Sequence, residues 1–544
     1  IASMTGAEIV KLNDQMRTDV SGMVNLWDEC GAMCLTRKLS VITNAYGNGT
    51  ASTQGYTPDQ RLLNSAAIRA NEALAAGCVS WIVPSDSQWF TWKPAPQLQG
   101  KAAVEDWLAQ CSEIATAYLA SSNFYNRVHE AFADWSTFGI SSLSVREGKR
   151  HPLHCHTHDC GSYTVAEDDE LYVHRWFREV QWTADQARAR FGDDRLPERV
   201  RQHIASGKLN EKERYLHAIY PRELKDRNTA GGPLGMPWAS CYIHIDSKLK
   251  IEEGGFEELP MFVSRYFRWT EQSPYGASPA MLALSEIRGV NYLELLMATL
   301  GEVTVNPRVL VPEGMESVPD LRAGGITIMP MGGERPSEWM TGGQFNVGLE
   351  LIKRKEYAIQ EAFHFSLFQQ FQQIERQITA QEVRAREAEK LARFSPAFSG
   401  LTSEFINPLL ERVFQLLYRA GLLPTAPQEA VIQTPGGPII AFPRTVHTSR
   451  MALALQSLKK TAMSNALELF LPLSQLKPDV FDNLDSDAAF RDLSRSDGMP
   501  ANYLLDEEQV VSLREARQKA EQQAQMAEMA MQAAKSPALV EAMQ

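Results

Sequence analysis

The sequence predicts an α+β fold that is mainly helical, and three observations carry the prediction. Long helical patterns lie at 103–135 and 378–417. From 160 to 270 the apolar period drops to two, the spacing of side chains on a strand. Two helical stretches of roughly twenty residues each then bracket a segment crowded with glycine and proline.

Taken in order, residues 1–45 read as helical, 58–79 as a helix with an Ala-rich end, and 103–135 as long helices. Gly139–Val145 alternates like a strand. Tyr172, His174, Trp176 and Arg178 alternate with Val173, Arg175, Phe177 and Glu179 as a second. Thr183 and Gln186 form a capping box that restarts a helix. Further strands are expected at 214–220, 238–246 and 261–269, with Gly254-Gly255 turning between the last two. Ser278-Pro279 is an N-cap followed by proline at the first helical position, opening a helix to about Leu300. Residues 301–345 hold 8 Gly and 5 Pro, with short strands expected at Arg308–Val311 and Ile326–Met329. A helix follows over Val347–Phe365, then FSLFQQFQQIERQ, then 378–417, capped by Thr379 and Glu382. Pro396 and Pro408 predict kinks or breaks within it. Pro424–Pro443 reads as a linker, and 445–534 as mostly helical.

The 544 residues allow roughly three or four domains, and 44% hydrophobic residues supply large cores. A net charge of −12 argues against a surface that wraps nucleic acid, yet suits one that guides DNA without gripping it. Seven cysteines fit a reducing compartment better than a disulfide framework. No signal peptide is legible in IASMTGAEIVKLNDQ, and no apolar run reaches the ~20 residues of a membrane span, so synthesis in the cytosol is expected.

Residues 151–160 carry four His and two Cys. His154, His156, His158 and Cys160 offer zinc-ligand chemistry, but no second ligand pair appears, and a surface loop leading into a strand is the plainer account. Cys30 and Cys34, one helical turn apart, read as small buried apolar residues. Gly47-Asn-Gly49 lacks the third glycine of a dinucleotide fingerprint, and Gly332-Gly333 and Gly342-Gly343 lack the Lys-Ser/Thr of a phosphate loop. Glu167–Glu170 reads as an exposed turn, and Trp81, Trp89 and Trp92 as core anchors. No enzyme class emerges and no cofactor is expected.

Ordered along nearly the whole chain, LAAGCVSWIVPSDSQWFTW (74–92), SNFYNRVHEAFADWSTFGI (122–140), RWFREVQWTADQARARFG (175–192), RWTEQSPYGASPAMLALSEIRGVN (268–291), Thr379–Leu417 and DGMPANYLLDEEQV (497–510) resemble the portal, or head-to-tail connector, proteins of short-tailed bacteriophages. The His/Cys cluster departs from that pattern. The resemblance implies a ring around a central channel, usually of twelve subunits, at one capsid vertex of the virion, after assembly in the host cytoplasm. It implies a wing (1–278), a first stem helix (279–303), a clip (304–345), a second stem helix (346–365), a tunnel loop (366–377), a return to the wing (378–440) and a helical crown with its tail (441–544). The implied partners are double-stranded DNA without sequence preference, the terminase packaging motor, tail adaptors, and the major capsid and scaffolding proteins, with no membrane.

On that reading Gln369, Gln370, Gln372, Gln373 and Arg376 line the channel, because near-neutral polar side chains touch a phosphate backbone weakly in any register. A Gln-rich continuation of the flanking helices is the alternative. Lys353, Arg354 and Lys355 either face the lumen, pair with Glu286 or Glu294, or form a solvated helix face. Arg335, Trp339 and Met340 suit an adaptable docking surface on the clip. Two rival classes remain: a metal-dependent enzyme built on the His/Cys cluster, and a scaffold polymerising through 378–417 and 506–534.

Overall fold

Thr5 opens helix α1 (Gly6–Cys34). Its hydroxyl accepts from the Glu8 N–H while the Glu8 carboxylate takes the Thr5 N–H at 2.8 Å, which satisfies two otherwise orphaned donors. The computed structural model describes residues 4–36, 62–98, 101–148, 150–223, 232–270, 273–306, 308–311, 337–338, 345–368, 380–434, 437–440, 443–454 and 507–534, with single positions at 313, 320, 487 and 490. The chain divides into two units, Ile1–Arg450 and Met451–Gln544.

Helix α2 (Ala66–Ile82) starts later than the expected 58. Residues 62–65 stay non-helical because Asn291 Oδ1 takes the N–H groups of Leu63 (2.6 Å) and Asn64 (2.9 Å). Strand β1 (Phe90–Lys93) and helices α3 (Ala102–Ser121) and α4 (Phe124–Phe138) follow. The second half of α4 is buried on all sides, from Ala131 to Phe138. It lies at the centre of the first unit, against α2 and α1.

Two antiparallel sheets come next. Strands β2 (Ile140–Glu147), β3 (Leu153–His158) and β9 (Met261–Arg265) form one, in the order β3-β2-β9. The other is a meander of β4 (Tyr163–Glu167), β5 (Val173–Thr183), β6 (Lys212–Pro221), β7 (Trp238–His244) and β8 (Leu249–Phe256). The period of two is realised in β6. Leu216, Ala218 and Tyr220 face Ile9, Val10 and Met16 of α1, whereas Tyr215 packs with Ala187, Phe191 and Val200. Those last three belong to α5 (Ala184–Phe191), opened by the expected Thr183–Gln186 capping box, and α6 (Glu198–Ala205).

Two expectations fail here. Gly254-Gly255 lies inside β8, not in a turn. A Cβ on Gly255 would sit 2.1 Å from the Pro233 carbonyl, so the glycine serves close backbone approach. The His/Cys segment is strand β3 itself rather than a loop, paired along its length with β2.

The chain leaves the sheets through β10 (Phe267–Arg268), β11 (Gly276–Ala277), α7 (Pro279–Leu282) and α8 (Leu284–Val305), with a break at Ala283 where one helix was expected. Strands β12 (Val309–Leu310) and β13 (Ser337–Glu338) pair before α9 (Phe345–Ala362) and α10 (Phe365–Phe368) return. Ile326–Met329 lies outside the described residues.

Helix α11 (Ala380–Leu401) runs through Pro396 without a break. The irregularity falls instead in a π turn, Thr402–Ile406, where the Asn407 N–H reaches back five residues to the Thr402 carbonyl. Helix α12 (Asn407–Arg419) starts directly after it, with Pro408 in its first turn. Pro408 has no N–H for the Glu404 carbonyl and its ring crowds that oxygen, so the backbone widens one turn ahead of it. The apolar face of α12 enters the core, Phe414 lying 4.9 Å from the Trp92 ring. Thr379 lies outside the described residues.

The expected linker after Pro424 contains a hairpin, β14 (Val431–Thr434) with β15 (Gly437–Ile440), and two β-branched pairs, Val431-Ile432 and Ile439-Ile440, lie opposite each other in it. Strand β16 (Arg444–His447) pairs with β1, so the first unit extends to Arg450, past the division expected at 441. In the second unit a long helix, α13 (Glu507–Ala534), meets the helical expectation.

A buried charge network joins these parts. Arg265 on β9, 4% exposed, binds Glu167 at the end of β4, the Leu171 carbonyl (3.2 Å) and Glu404 in the π turn (Nε–Oε2 3.1 Å). Arg268 holds the second Glu167 oxygen at 2.8 Å. Glu167, its side chain 10% exposed, is thus a half-buried partner and not part of an exposed turn; the turn proper is closed by Asp168, which accepts from the Glu170 and Tyr172 N–H groups. Arg265→Met takes the guanidinium from Glu404 and leaves Glu167 with Arg268 alone, and is expected to cost about 3 kcal/mol. An unchanged denaturation midpoint would show that the network holds nothing.

Burial, then Arg178, pulls His156 down to about 4 and His217 down to about 3. Both are neutral in the fold and take up protons on unfolding below their ordinary value near 6.5. The unfolded chain then binds more protons, so stability falls as pH drops from about 6.5 towards 4. His156→Gln is expected to flatten that slope in melting curves; the same slope in the variant would assign it to other groups.

Candidate functional site

The hairpin of α8 and α9 carries a run of exposed apolar side chains among the described residues. Its base is plugged into the core. Ser278 Oγ accepts the Met281 N–H at 3.0 Å and donates to the Thr137 carbonyl at 2.8 Å. Ile287 and Val290 on α8, with Ile352 and Ile359 on α9, are buried. The two helices run antiparallel: Lys355 Nζ meets Glu286 Oε2 at 2.8 Å, while Gly348 lies against Met297. Asn64 stitches them together, its Nδ2 donating to Glu294 (3.0 Å) and Glu356 (2.9 Å). Arg288 Nε reaches Glu29 of α1 at 2.6 Å.

Beyond the base the apolar side chains are bare. Tyr292, Leu295, Leu296 and Val305 on α8 are exposed, Val305 at 87%, as are Phe345, Val347, Leu349, Leu351 and Tyr357 on α9. A contiguous apolar surface of this kind on one element marks an interaction face. The sequence signals it through helical apolar residues on both stretches, but periodicity cannot tell a core face from an unpartnered one.

Lys353 and Arg354 are exposed on α9, whereas Lys355 is the residue that pairs with Glu286. Glu294 binds Asn64 rather than a lysine. After α9, His364 turns the chain at φ 51°, its Nε2 2.9 Å from the Tyr266 hydroxyl; burial lowers its pKa. The first residues of the expected tunnel loop are not loop: Leu367 is core, and Phe368 packs against Trp81 and Phe394. A Cβ on Gly77 would lie 2.3 Å from the Phe368 ring, so the glycine makes room for it. Gln369, Gln370, Gln372, Gln373 and Arg376 lie outside the described residues, as do Arg335, Trp339 and Met340.

The metal alternative fares differently by residue. His154, His156 and His158 share one face of β3, with His154 exposed, His158 buried and Cys160 buried beyond the strand end. Among the described residues their ligand atoms do not converge. The group that does is Glu213, His244 and Asp246, within 4.8 Å of one another, which sequence spacing does not reveal. Arg199 Nε lies 3.0 Å from Glu213 and Arg214 2.9 Å from Asp246, supplying the positive charge a cation would bring. Trp89 and Trp92 are buried and Trp81 is half-buried, and Cys30 and Cys34 are buried free thiols, as expected. Burial pushes Cys30 up to about 12. No described helix is long and apolar enough to cross a membrane.

Comparison with known proteins covers nearly the whole chain. The chain is 26% identical over 543 residues to a probable portal protein of Bordetella phage BPP-1, covering 96% of this chain and 93% of that one. It is 26% identical over 508 residues to the portal protein of Salmonella phage epsilon15, covering 91% and 90%. The model of the bacteriophage head to tail connecting proteins matches residues 7–505, and the chain belongs to that family.

Proposed function

We infer that the chain is the portal of a short-tailed phage: a closed ring at one capsid vertex through which double-stranded DNA is packaged, held and ejected. It is a structural protein, as its family and the names of its relatives have it, and not a metal-dependent enzyme. The observation that carries the ring is the hairpin, a rigid antiparallel pair whose apolar side chains lie bare along both helices. In a closed ring each hairpin packs against copies of itself, which is how such a surface leaves water.

On this reading residues 1–278 and 380–450 form the wing, α8 and α9 the stem, and 306–344 the clip that meets the terminase motor and later the tail adaptors. Residues 369–379 form the tunnel loop, and 451–544 the crown. Phe368, wedged between α2 and α11, anchors the loop's entry. A chain charge of −12, multiplied around a ring, keeps DNA from sticking, while exposed Lys353 and Arg354 provide weak phosphate contacts. Scaffolding and major capsid proteins surround the ring in the virion.

Twelve chains of 60.9 kDa make a particle of about 0.7 MDa, visible as a ring by electron microscopy. Filaments or monomers of the native chain would sink the reading. Leu295→Asp with Leu296→Asp is expected to shift the particle to smaller species in light scattering; an intact ring would remove the hairpin from the subunit contact. Alanine at Gln369, Gln370, Gln372 and Gln373 is expected to lower DNA retention in filled heads, and unchanged packaging and retention would reject the channel-lining role.

A further inference from the structure

A second feature lies away from the hairpin and draws in the histidine strand. Between the five-stranded sheet, α5 and the three-stranded sheet is a cavity of about 310 Å3. Arg146 of β2, Arg178 of β5 and Arg190 of α5 line it, with His158 and His217. We propose that this cavity binds a small phosphate-type oxyanion, orthophosphate or the phosphoryl group of a nucleoside monophosphate, held by the three arginines.

Four observations support it. Among the described residues no carboxylate stands within ion-pair distance of Arg146, Arg178 or Arg190. Arg146 and Arg190 are exposed to water, and Arg178 is half-buried with the charge of Asp159 acting on it, so an entering anion meets three guanidiniums whose donors are not taken up by ion pairs. Glu252, the carboxylate lining the cavity, sits 3.8 Å from Arg195 instead.

Buried polar atoms here also lack protein partners. The Arg178 Nε has no protein hydrogen bond, nor has Nδ1 of His158, a side chain only 3% exposed. Ser144 Oγ holds the other nitrogen of His158 at 3.0 Å. Such groups are costly unless satisfied, and a hydrogen phosphate both accepts from guanidinium and donates to imidazole.

The wall is also pre-set. His217 stacks on Tyr242 at 4.2 Å and 3°, and Arg190 sits over the Tyr242 ring, 4.4 Å from its centre, and 5.1 Å from that of Trp182. This fixes a guanidinium without consuming its donors. Burial, and then the charge of Arg178, depress both His158 and His217, so both imidazoles stay neutral beside the guanidiniums. The adjoining cleft, about 560 Å3, is lined by Arg146 and Arg190 again and adds Arg150, with Glu147 as one carboxylate against these three guanidiniums.

Forked guanidiniums match several oxygens of one phosphoryl group, which a single ammonium does not. The volume suits a small ligand and excludes a duplex. The proposal does not depend on the portal reading.

The test is calorimetric titration of the full-length assembled protein at constant ionic strength with orthophosphate, adenosine 5′-monophosphate and adenosine. Saturable binding of either anion, with none of adenosine, is expected; tighter binding of the nucleotide than of orthophosphate would name it as the source. Arg146→Ala, at an exposed position, should weaken binding by about tenfold or more. Arg178→Lys keeps the charge, loses the fork and should also weaken it, with melting curves verifying that both variants fold. Absence of saturable binding at millimolar anion, or wild-type affinity in both variants, would overturn the proposal.

Discussion

Arg265 is the point on which the first unit turns. One buried guanidinium reaches a strand of the five-stranded sheet, a backbone carbonyl in the following turn and a carboxylate on the returning helix. Two charges taken out of water are tolerable only when geometry and hydrogen bonds are nearly complete, and here they are. Glu404 is presented to Arg265 by the π turn, which exists because Pro408 cannot continue an α-helical ladder. A covalent property of one proline therefore sets where helix and sheets meet. A second clamp repeats the design farther along: Arg412, 5% exposed, and Arg419 both grip Glu258 between β8 and β9.

That rigid body explains the hairpin. Antiparallel helices can extend into solvent only if their base is fixed, and Ser278, Asn64 and the Lys355–Glu286 pair fix it. The exposed apolar residues above the base then keep one orientation, which a repeated contact between copies requires. Phe368 does the same for the segment after α10. Its ring fills the space left by Gly77, so the chain enters the next segment from a defined place.

The histidine strand shows how one sequence signal changes meaning. Four histidines and two cysteines in ten residues suggest a metal by residue type. In the fold β3 alternates, so Cys155 enters the core while His156 and His158 face arginines, which repel a cation. The same placement favours an anion. Residue type is a local property; the sign of the field is not.

Much of the architecture was legible locally. Capping residues at Thr183 and Ser278 mark helix starts, and alternation marks β5, because hydrogen bonds within a few residues and side-chain period are properties of short segments. The family resemblance, spread along the chain, was legible as well. Other features were not. Gly255 reads as a turn until the Pro233 carbonyl approaches it, and Glu167 reads as exposed until Arg265 arrives from β9. The bare face of the hairpin and the arginine cavity depend on residues far apart in sequence. By itself the sequence determined which segments become helix or strand. Only the tertiary structure decided which charges are paired, which apolar faces are left for a partner and where positive charge gathers, because burial and long-range Coulomb interaction depend on neighbours that no local pattern records.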